Sequence, residues 1–453
     1  MKTAETSTSL PQGFIDEMQT LSGMDSEALL VSLGKSPEVG VRLNGRKRSS
    51  ASFDGAEPVK WCPAGLHLRE RPAFTLMPEL HSGAFYVQDP SSMIHREIVS
   101  RLASSPSVLV DFCAAPGGKT TAAIDALPDG SVVIANEFES SRVGALKENL
   151  TKWGYPHVAI TNSPTDSFRA LSGQVDIAVV DAPCSGEGMM RKDAEARRQW
   201  SVGLVAQCAS LQREIVADAV ETLRPGGYLV YSTCTFNRVE NEDMLDWMAE
   251  EFGLDSVDMG FPEEWGIPGG LSGRPAYRFM PHKTRGEGLF VGVMRKPEGS
   301  AAASHRKIRF NQRGPGLPGT DLVHSPESYL FSAYGNVVKA ASPLLCSLLD
   351  MLPKKTRIVA SGVDIGELKG KDFIPSAALA LSNAYRRGAL PEVEVSYEEA
   401  VAYLRREPAA LPPDVPRGIC LVCYGGLPLG WVKNIGNRAN NLYPQSWRIR
   451  MNR

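Results

Sequence analysis

Hydrophobic and polar positions at the start of the chain follow two different spacings. The segments "FIDEMQTL" and "SEALLVSLG" carry apolar residues three and four positions apart, which predicts two helices, and Gly34 offers a stop for the second. Residues 37–90 are rich in proline and glycine and contain short strand-like runs such as "VGVRLN" and "GAFYVQD". This pattern predicts a small α+β region at the N-terminus.

From about residue 106 the pattern changes to strands that alternate with helices. Six apolar runs predict strands: "SVLVDFC", "SVVIANE", "HVAIT", "VDIAVVDAP", "GGYLVYSTC" and "GLFVGVMR". The connections predict helices at 118–127, 139–152, 204–223 and 239–252. Nearly continuous apolar strands separated by helices are typical of a parallel sheet covered on both faces. We therefore expect the α/β class, with a Rossmann-like sheet over residues 106–296.

The strand and helix periodicity is lost after this segment. Residues 297–325 are rich in glycine, proline and serine, and they predict a linker. Beyond the linker, "TRIVASGVDIG" and "GICLVCYGGLPLGWVKNIG" predict strands, and "SYEEAVAYLRRE" predicts a helix. A separate C-terminal domain over residues 326–453 follows from this arrangement.

Composition narrows the class of protein. The chain has 453 residues, of which 43% are hydrophobic and 22% charged, values typical of folded domains. The N-terminus lacks a basic stretch followed by an apolar run, and no segment is long and apolar enough to span a bilayer. Eight cysteines without a secretion signal argue against a disulfide framework. We expect a cytoplasmic protein.

Positive charge is concentrated in three places, although the net charge of -2 gives no general attraction to nucleic acid. Such patches can neutralise phosphates, and the alternative is that they only solvate loops and a tail. The patches contain Arg42, Arg46, Lys47 and Arg48; His305, Arg306, Lys307, Arg309 and Arg313; and Lys433, Arg438, Arg448, Arg450 and Arg453.

A glycine-containing loop, "DFCAAPGGKTT", follows the first strand of the predicted sheet. Ligands of open α/β sheets bind beyond the carboxyl ends of the strands, where this loop lies. A dinucleotide fingerprint would need GxGxxG spacing, which is missing. A phosphate-binding GxxxxGK[ST] loop matches at Gly118, Lys119 and Thr120 but needs a glycine where the chain has Cys113. The remaining reading is a nucleoside-containing cofactor that presents no phosphate to the loop.

Glu137 supports that third reading. It stands at the end of the second strand, roughly 20 residues past the glycines, where an acid can accept hydrogen bonds from both ribose hydroxyls. S-adenosylmethionine has a ribose, an adenine and a sulfonium cation that acids tolerate, and it has no phosphate. We expect it to be the cofactor.

Two cysteines also end strands of the predicted sheet. Cys184 stands in "DAPCSGEG" and Cys234 in "YSTCT", so both would face the cofactor cleft together with Asp181. The alternative is inert packing, the commoner role of cysteine. No metal is expected, because neither thiol has a CxxC partner. Cys420 and Cys423 have that spacing, but they lie in an apolar run that favours packing.

The chain resembles the Nol/Nop/Sun family of RNA cytosine carbon-5 methyltransferases through five motifs in order. These are "DFCAAPGGKTT", "ANE", "VDAPCSGEG", "YSTCT" followed by "NE", and "RFMPHKTRGEGLFV". "VRLNGRK" and "FYVQDPSSM" are similar to its N-terminal RNA-binding region. "GKDFIPSAALALS" and "GLPLGWVKNIGNRANNLYPQSWR" are similar to the C-terminal region of the RsmF (YebU) branch, which modifies small-subunit ribosomal RNA. The resemblance implies an N-terminal RNA-binding region (1–105), a methyltransferase domain (106–296), a linker (297–325) and a PUA-like RNA-binding domain (326–453).

The resemblance also implies roles for residues. Cys234 would attack carbon 6 of cytosine so that carbon 5 can take the sulfonium methyl, and Cys184 would assist product release. Asp181 would hydrogen-bond the base, and Lys119 would orient or polarise it. For adenine, the contact could come from Asp166 or Asn162 in "TNSPTDSF". The other implied cofactor contacts are Cys113, Ala114, Ala115, Pro116, Gly117, Gly118, Lys119, Glu137, Arg142 and Asp181.

The expected function is therefore methylation of carbon 5 of cytosine in small-subunit (16S) ribosomal RNA, by a monomer whose partner is ribosomal RNA or the small subunit. One alternative is a transfer-RNA 5-methylcytosine methyltransferase of the same family. Another is a non-catalytic RNA-binding ribosome-assembly factor, which would be expected to lose Cys234 or the glycine loop; both are intact. The segment "YPQSWR" departs from relatives, which often have a lysine and a glycine after the proline.

Overall fold

The computed structural model describes residues 9–21, 23–47, 51–299, 316–370, 372–408 and 411–451. The described helices are α1 Gln12–Thr20, α2 Ser26–Ser32, α3 Pro78–His81, α4 Ile94–Leu102, α5 Gly118–Ala126, α6 Ser140–Trp153, α7 Ala194–Gln199, α8 Val202–Thr222, α9 Glu242–Phe252, α10 Pro343–Met351, α11 Ala377–Leu381 and α12 Tyr397–Leu404. The described strands are β1 Val39–Leu43, β2 Glu57–Val59, β3 Cys62–Leu68, β4 Phe85–Val87, β5 Val108–Asp111, β6 Val132–Asn136, β7 Val158–Thr161, β8 Val175–Asp181, β9 Leu223–Thr233, β10 Asp255–Ser256, β11 Tyr277–Phe279, β12 Leu289–Arg295, β13 Leu330–Tyr334, β14 Val337–Ala341, β15 Ile358–Ser361, β16 Val363–Lys369, β17 Asp372–Pro375, β18 Glu392–Glu394, β19 Gly418–Tyr424, β20 Leu427–Asn434 and β21 Ala439–Asn441.

A central sheet with the order β10-β12-β9-β8-β5-β6-β7-β15 organises the molecule. Strands β5 to β9 are parallel, and β12 pairs with β9 in the antiparallel sense. Every residue of β5 and β6 is buried, since apolar layers cover both faces of the sheet. Helices α5, α6, α8 and α9 occupy the predicted connections. The predicted Rossmann-like methyltransferase sheet is confirmed.

The N-terminal region has the predicted α+β character. Its four strands form a separate sheet with the order β2-β3-β1-β4. Helix α1 buries Phe14 and Met18, and the ring of Phe14 packs edge-on against Trp200, with 5.7 Å between centroids. The same apolar cluster includes Phe236, two residues after Cys234. This region therefore supports the loops that follow β8 and β9.

The C-terminal region contains two further sheets, β13-β14-β16-β17 and β18-β19-β20-β21. Strand β15, part of the predicted "TRIVASGVDIG" strand material, instead pairs with β7 and extends the central sheet. Helix α10 buries Leu345 and Leu348 in the core layer that covers that sheet. The region after the linker is thus joined to the methyltransferase sheet by shared hydrogen bonds and a shared core, while the domain boundaries stay predictions.

The residues of the first basic patch that the structure describes make contacts inside the protein. The Arg42 guanidinium is fully buried and forms an ion pair with Asp125 on α5. Lys47 donates from Nζ to the carbonyl oxygens of Ser82 and Lys152, each at 2.6 Å. These internal contacts favour a structural role for Arg42 and Lys47 over the neutralisation of phosphates.

Arg46 belongs to the same patch and also makes internal contacts. It donates to the carbonyl oxygen of Leu127 just after α5, at 2.8 Å, and forms an ion pair with Asp129. The remaining patch members Arg48 and Arg453, the whole 305–313 patch and most of the predicted linker lie outside the described residues. Within the described ranges, the helices are all too short or too polar to cross a membrane.

Candidate active site

The loop after β5 opens one side of the candidate site. Asp111 ends the strand fully buried, and its carboxylate accepts from Thr120 Oγ1 at 2.6 Å and from the amide of Cys113 at 3.3 Å. Burial raises the pKa of Asp111 to about 7. Gly117 begins α5 with φ +107°, a conformation that favours glycine. The loop is therefore tied at both ends.

Glu137 follows β6 directly and braces this loop. Its Oε2 accepts from the amide of Ala115 at 3.2 Å, and its Oε1 accepts from the amide of Glu139 at 2.9 Å. Arg142 lies 3.5 Å from Oε2 and donates to the carbonyl oxygen of Ala115 at 2.6 Å. The buried Glu137 carboxylate thus has a fixed orientation.

A cavity of about 820 Å³ lies beyond the carboxyl ends of β5, β6, β8 and β9. Its volume is in the range of pockets that enclose small molecules. The structure brings nine of the predicted site residues to its wall. These are Cys113, Ala115, Pro116, Lys119, Glu137, Arg142, Asp181, Cys184 and Cys234.

Three residues of the glycine loop serve the backbone rather than the cavity wall. The Ala114 amide donates to the carbonyl oxygen of Asn136 at 2.8 Å. Gly117 supplies the left-handed turn, and a Cβ at Gly118 would lie 3.3 Å from the Tyr86 ring. Ala114, Gly117 and Gly118 are therefore not on the cavity wall, and their expected contacts with the cofactor stay predictions.

The two candidates for an adenine contact are also not on the cavity wall. Asp166 is exposed at the start of a 3-10 turn. Asn162 donates from Nδ2 to the carbonyl oxygens of Glu137 and Phe138, at 2.7 and 2.9 Å. Pro164 and Thr165, between them in sequence, line the cavity instead.

Lys119 and Asp181 meet inside the cavity. Lys119 Nζ donates to Asp181 Oδ2 at 2.7 Å. Ser232 is the second-last residue of β9, and its Oγ lies 3.0 Å from Asp181 Oδ1. Burial lowers the pKa of Lys119, but the ion pair with Asp181 outweighs burial and the net shift is upward. The pair therefore presents a fixed cation and a fixed carboxylate to anything bound beside them.

The thiols of Cys184 and Cys234 lie side by side, with 3.3 Å between the sulfur atoms. Strands β8 and β9 are parallel neighbours, so their two following loops start at the same edge of the sheet. The hydrogen bond with Cys234, together with burial, raises the pKa of the Cys184 thiol well above its ordinary value. Cys184 is therefore held as a neutral thiol beside the other sulfur.

Two buried glutamates hold the thiol loops, and the sequence predictions did not assign them a role. The Glu187 carboxylate accepts from the amides of Phe236 and Asn237 at 2.6 and 2.9 Å. Glu240 accepts from the amide of Ser185 at 3.0 Å and from Gln212 on α8 at 2.7 Å. Both glutamates are fully buried. The sequence contained a signal for both residues. Glu187 is a charged residue inside the motif "DAPCSGEG", and Glu240 stands directly before the "NE" that follows "YSTCT".

Comparison with known proteins gives the family. A family model described as 16S rRNA methyltransferase RsmB/F matches residues 102–295, and two others match on either side of it. The N-terminal domain of 16S rRNA methyltransferase RsmF matches residues 10–90, and the methyltransferase RsmF PUA domain matches residues 390–449. A ribosomal RNA small subunit methyltransferase F from Klebsiella pneumoniae (strain 342) is 30% identical over 475 residues, which cover 98% of this chain and 97% of the relative. The chain belongs to the ribosomal RNA small subunit methyltransferase F family.

Other relatives agree with this assignment. The family member from Enterobacter sp. (strain 638) is 31% identical over 484 residues, covering 98% of this chain and 96% of the relative. Among solved structures, a methyltransferase homolog protein from Pyrococcus horikoshii is 25% identical with a TM-score of 0.55, covering 63% of this chain and 95% of that one. NSun6 from Pyrococcus horikoshii with SFG has the same fold, with 20% identity, a TM-score of 0.56 and coverage of 64% and 99%.

Membership of the methyltransferase F family confirms three predictions. The resemblance seen in the motifs is correct, the fold is a methyltransferase sheet between an N-terminal domain and a PUA domain, and the protein is an RNA methyltransferase. The roles of individual site residues stay predictions.

Proposed function

We propose that this protein transfers a methyl group from S-adenosylmethionine to carbon 5 of a cytosine in 16S ribosomal RNA, through a covalent bond between Cys234 and the base. The observation that carries this proposal is the pair of thiols, 3.3 Å apart, on the wall of the cavity that also contains Glu137 and the Lys119–Asp181 pair. A methyltransferase that acted on a nitrogen or oxygen atom would need no nucleophile of this kind, since those atoms attack a sulfonium methyl directly.

The residues around Glu137 fit the cofactor. A carboxylate has about four acceptor positions, and backbone amides take two of those on Glu137. The remaining positions can accept two ribose hydroxyls, while Pro164 and Thr165 offer a surface for the adenine. S-adenosylmethionine, when bound, supplies an electrophilic methyl group.

Cys234 provides the nucleophile that cytosine itself lacks. Its thiolate adds to carbon 6 and forms a C–S bond, and the electron pair of the C5=C6 bond moves into the ring. Carbon 5 becomes nucleophilic as a result. Asp181 hydrogen-bonds the polar edge of the base, and Lys119, 2.7 Å from Asp181, supplies positive charge or a proton to the electron density that arrives there.

Cys184 completes the cycle by assisting release. After carbon 5 has released its proton to solvent water, the C–H electron pair re-forms the C5=C6 bond through the ring, the C6–S bond breaks and Cys234 leaves as a thiolate. The neutral Cys184 thiol lies within hydrogen-bonding distance of that sulfur and can donate to it. This contact supports the division of labour in which Cys234 attacks and Cys184 assists departure.

Ribosomal RNA is the substrate that the relatives' names and the PUA match support. A second cleft of about 690 Å³ is lined by the N-terminal region, α6 and the C-terminal residues, including the exposed Arg448 and Arg450. It can hold further RNA outside the cavity. We place the enzyme in the cytoplasm with its substrate. Transfer RNA is the alternative substrate, and a non-catalytic assembly role would leave the thiol pair without a purpose.

Trapping of the covalent intermediate tests the chemistry. Cys184→Ala is expected to accumulate a protein–RNA adduct on a denaturing gel, because attack proceeds while release is impaired. Cys234→Ala is expected to give neither adduct nor methylated product. An adduct in the Cys234 variant would reverse the two roles, and Cys346→Ala serves as a matched control, because the partly buried Cys346 lies on α10, outside the cavity wall.

The target is tested separately by bisulfite sequencing of 16S ribosomal RNA and transfer RNA from cells that lack the gene. Loss of a 5-methylcytosine from 16S RNA, restored by the parent protein but not by Cys234→Ala, is the expected result. Loss of one from transfer RNA alone would favour the alternative substrate.

A further inference from the structure

A chain of polar contacts connects Asp181 to the buried interior behind the cavity. Asp181 Oδ1 lies 3.0 Å from Ser232 Oγ, and Ser232 Oγ lies 3.2 Å from Nε2 of His95 on α4. The other ring nitrogen of His95, Nδ1, lies 3.2 Å from the carbonyl oxygen of Ser92. Ser232 is fully buried and His95 is 1% exposed, so these two members of the chain are shielded from water, while Asp181 faces the cavity.

The hydrogens available to the chain do not satisfy all of its contacts at once. Burial lowers the pKa of His95 to about 3, so the imidazole is neutral and carries one N–H. The Ser92 carbonyl can only accept, which places that hydrogen on Nδ1 and leaves a lone pair on Nε2. Ser232 has a single hydroxyl hydrogen and one acceptor on each side: Nε2 of His95 and Oδ1 of Asp181. It can donate to only one of them at a time.

We propose that Ser232 is a two-position hydroxyl switch, with His95 as its second acceptor, that lets Asp181 gain and lose a proton while cytosine is activated. The inference rests on the proposed function, since it concerns the base that Asp181 contacts. His95 and Ser232 act through Asp181 and are positioning residues.

The proton balance of the step is as follows. When Cys234 adds to carbon 6, the displaced electron pair reaches ring nitrogen N3, which takes a proton from the Asp181 carboxyl group. Asp181 draws that proton from the Lys119 ammonium, 2.7 Å away, and the products are an N3–H bond, a carboxylate and a neutral amine. The reverse transfer follows when the C6–S bond breaks.

The switch matters because the hydrogen-bonding needs of Asp181 change during this transfer. As a carboxylate, Asp181 is stabilised by the Ser232 hydroxyl. While it carries the proton, the same hydroxyl turns to His95 Nε2 and no longer holds Asp181 in its charged form. Only a rotation of the Ser232 hydroxyl is needed. Ser232 and His95 are buried, where reorganisation of larger groups is costly.

Three variants test the switch. His95→Leu keeps apolar bulk but removes the second acceptor, Ser232→Ala removes the hydroxyl, and His95→Gln restores an acceptor through its amide oxygen. His157→Leu is the matched control, because His157 is partly buried just before β7, stacks on the ring of Tyr329, and lies on the wall of neither the cavity nor the second cleft. The measurement is single-turnover transfer of labelled methyl from S-adenosylmethionine to a 16S RNA transcript, with KM for the transcript and the thermal midpoint alongside.

We expect His95→Leu and Ser232→Ala each to lower the maximal rate by about tenfold or more, with KM unchanged. This effect is smaller than the roughly 10²-fold or more that a general acid or base itself contributes, because both residues act through Asp181. Their double variant is expected to be no slower than the slower single variant, because both changes disable one unit. His95→Gln recovers most of the rate, and His157→Leu retains the parent rate.

A parent rate in His95→Leu, or a His95→Gln variant as slow as His95→Leu, would overturn the switch while leaving the proposed function intact. If the parent protein methylated neither 16S RNA nor transfer RNA, the proposed function itself would be overturned, and the switch with it.

Discussion

The substitution Glu187→Gln tests whether a buried carboxylate fixes the position of the attacking thiol. Oε2 of Glu187 accepts from the amides of Phe236 and Asn237, and Oε1 accepts from Asn237 Nδ2 at 2.9 Å and Trp200 Nε1 at 3.0 Å. Glutamine has the same size, but one of its two oxygens becomes an NH₂ group that cannot accept. If Oε2 is replaced, both backbone amides lose their acceptor; if Oε1 is replaced, Trp200 Nε1 loses its acceptor, while Asn237 Nδ2 keeps Glu240 Oε1 at 2.8 Å.

The expected magnitude follows from this count. Hydrogen bonds to charged groups contribute about 1.5–3 kcal/mol each, so one or two lost bonds cost about 1.5–6 kcal/mol. Because Phe236 follows Cys234 by two residues, part of this cost appears as displacement of the thiol. A displacement near 1 Å lowers the rate by about 10²-fold, since attack requires an aligned near-contact geometry.

Two measurements on the same preparations check this expectation. Denaturant unfolding gives the loss of stability, and adduct formation in a Cys184→Ala background gives the rate of attack alone. The control is Glu195→Gln, which removes a half-exposed carboxylate from α7 and should change the free energy of unfolding by less than about 0.5 kcal/mol. If Glu187→Gln matched the parent in both stability and rate, the carboxylate would not position the loop.

Three further outcomes follow from the contacts. Arg42→Met leaves Asp125 buried and unpaired and should lower the free energy of unfolding by about 3–5 kcal/mol. The RNA affinity of the folded protein should not change. Weaker RNA binding at equal stability would instead indicate that Arg42 contacts a phosphate. Burial, with repulsion from two neighbouring glutamates, raises the pKa of Glu17 from 4.5 to about 7, so the folded state binds more protons than the unfolded state in that range and stability falls as pH rises through it. Glu17→Gln should therefore lessen the fall in thermal midpoint between about pH 5 and about pH 8, and an unchanged fall would exclude this cause. Arg448→Gln with Arg450→Gln should weaken RNA binding and lower the slope of log Kd against log salt by roughly 1.5, whereas a parent slope would mean that neither contacts a phosphate.

Several features of the fold could be predicted from sequence because they depend on local pattern. Fully buried parallel strands need apolar side chains on both faces, and β5 and β6 show that run directly. The rule that parallel strands end at one edge then brought Cys184, Cys234 and Glu137 to one cavity. Each of these predictions used only neighbouring residues and a general property of sheets.

Other features could not be predicted because they depend on partners distant in sequence. Arg42 reads as one cation among four, and only the position of Asp125, 83 residues later, makes it a buried ion pair. His95 and Ser232 are 137 residues apart, and neither stands out until α4 lies against β9. Ala114, Gly117 and Gly118 belong to the same motif as the residues on the cavity wall, and only the shape of the turn separates the two groups.

The sequence by itself therefore determined the order of the elements, the family and the two thiols that meet at the cavity, because hydrophobic period and short motifs are local properties of a chain. The tertiary structure decided which charges are spent on internal contacts, which residues reach the cavity, and which polar groups share a hydrogen. Those properties depend on what each side chain meets after burial, where an unpaired charge or donor is costly and a partner from any part of the chain can remove that cost.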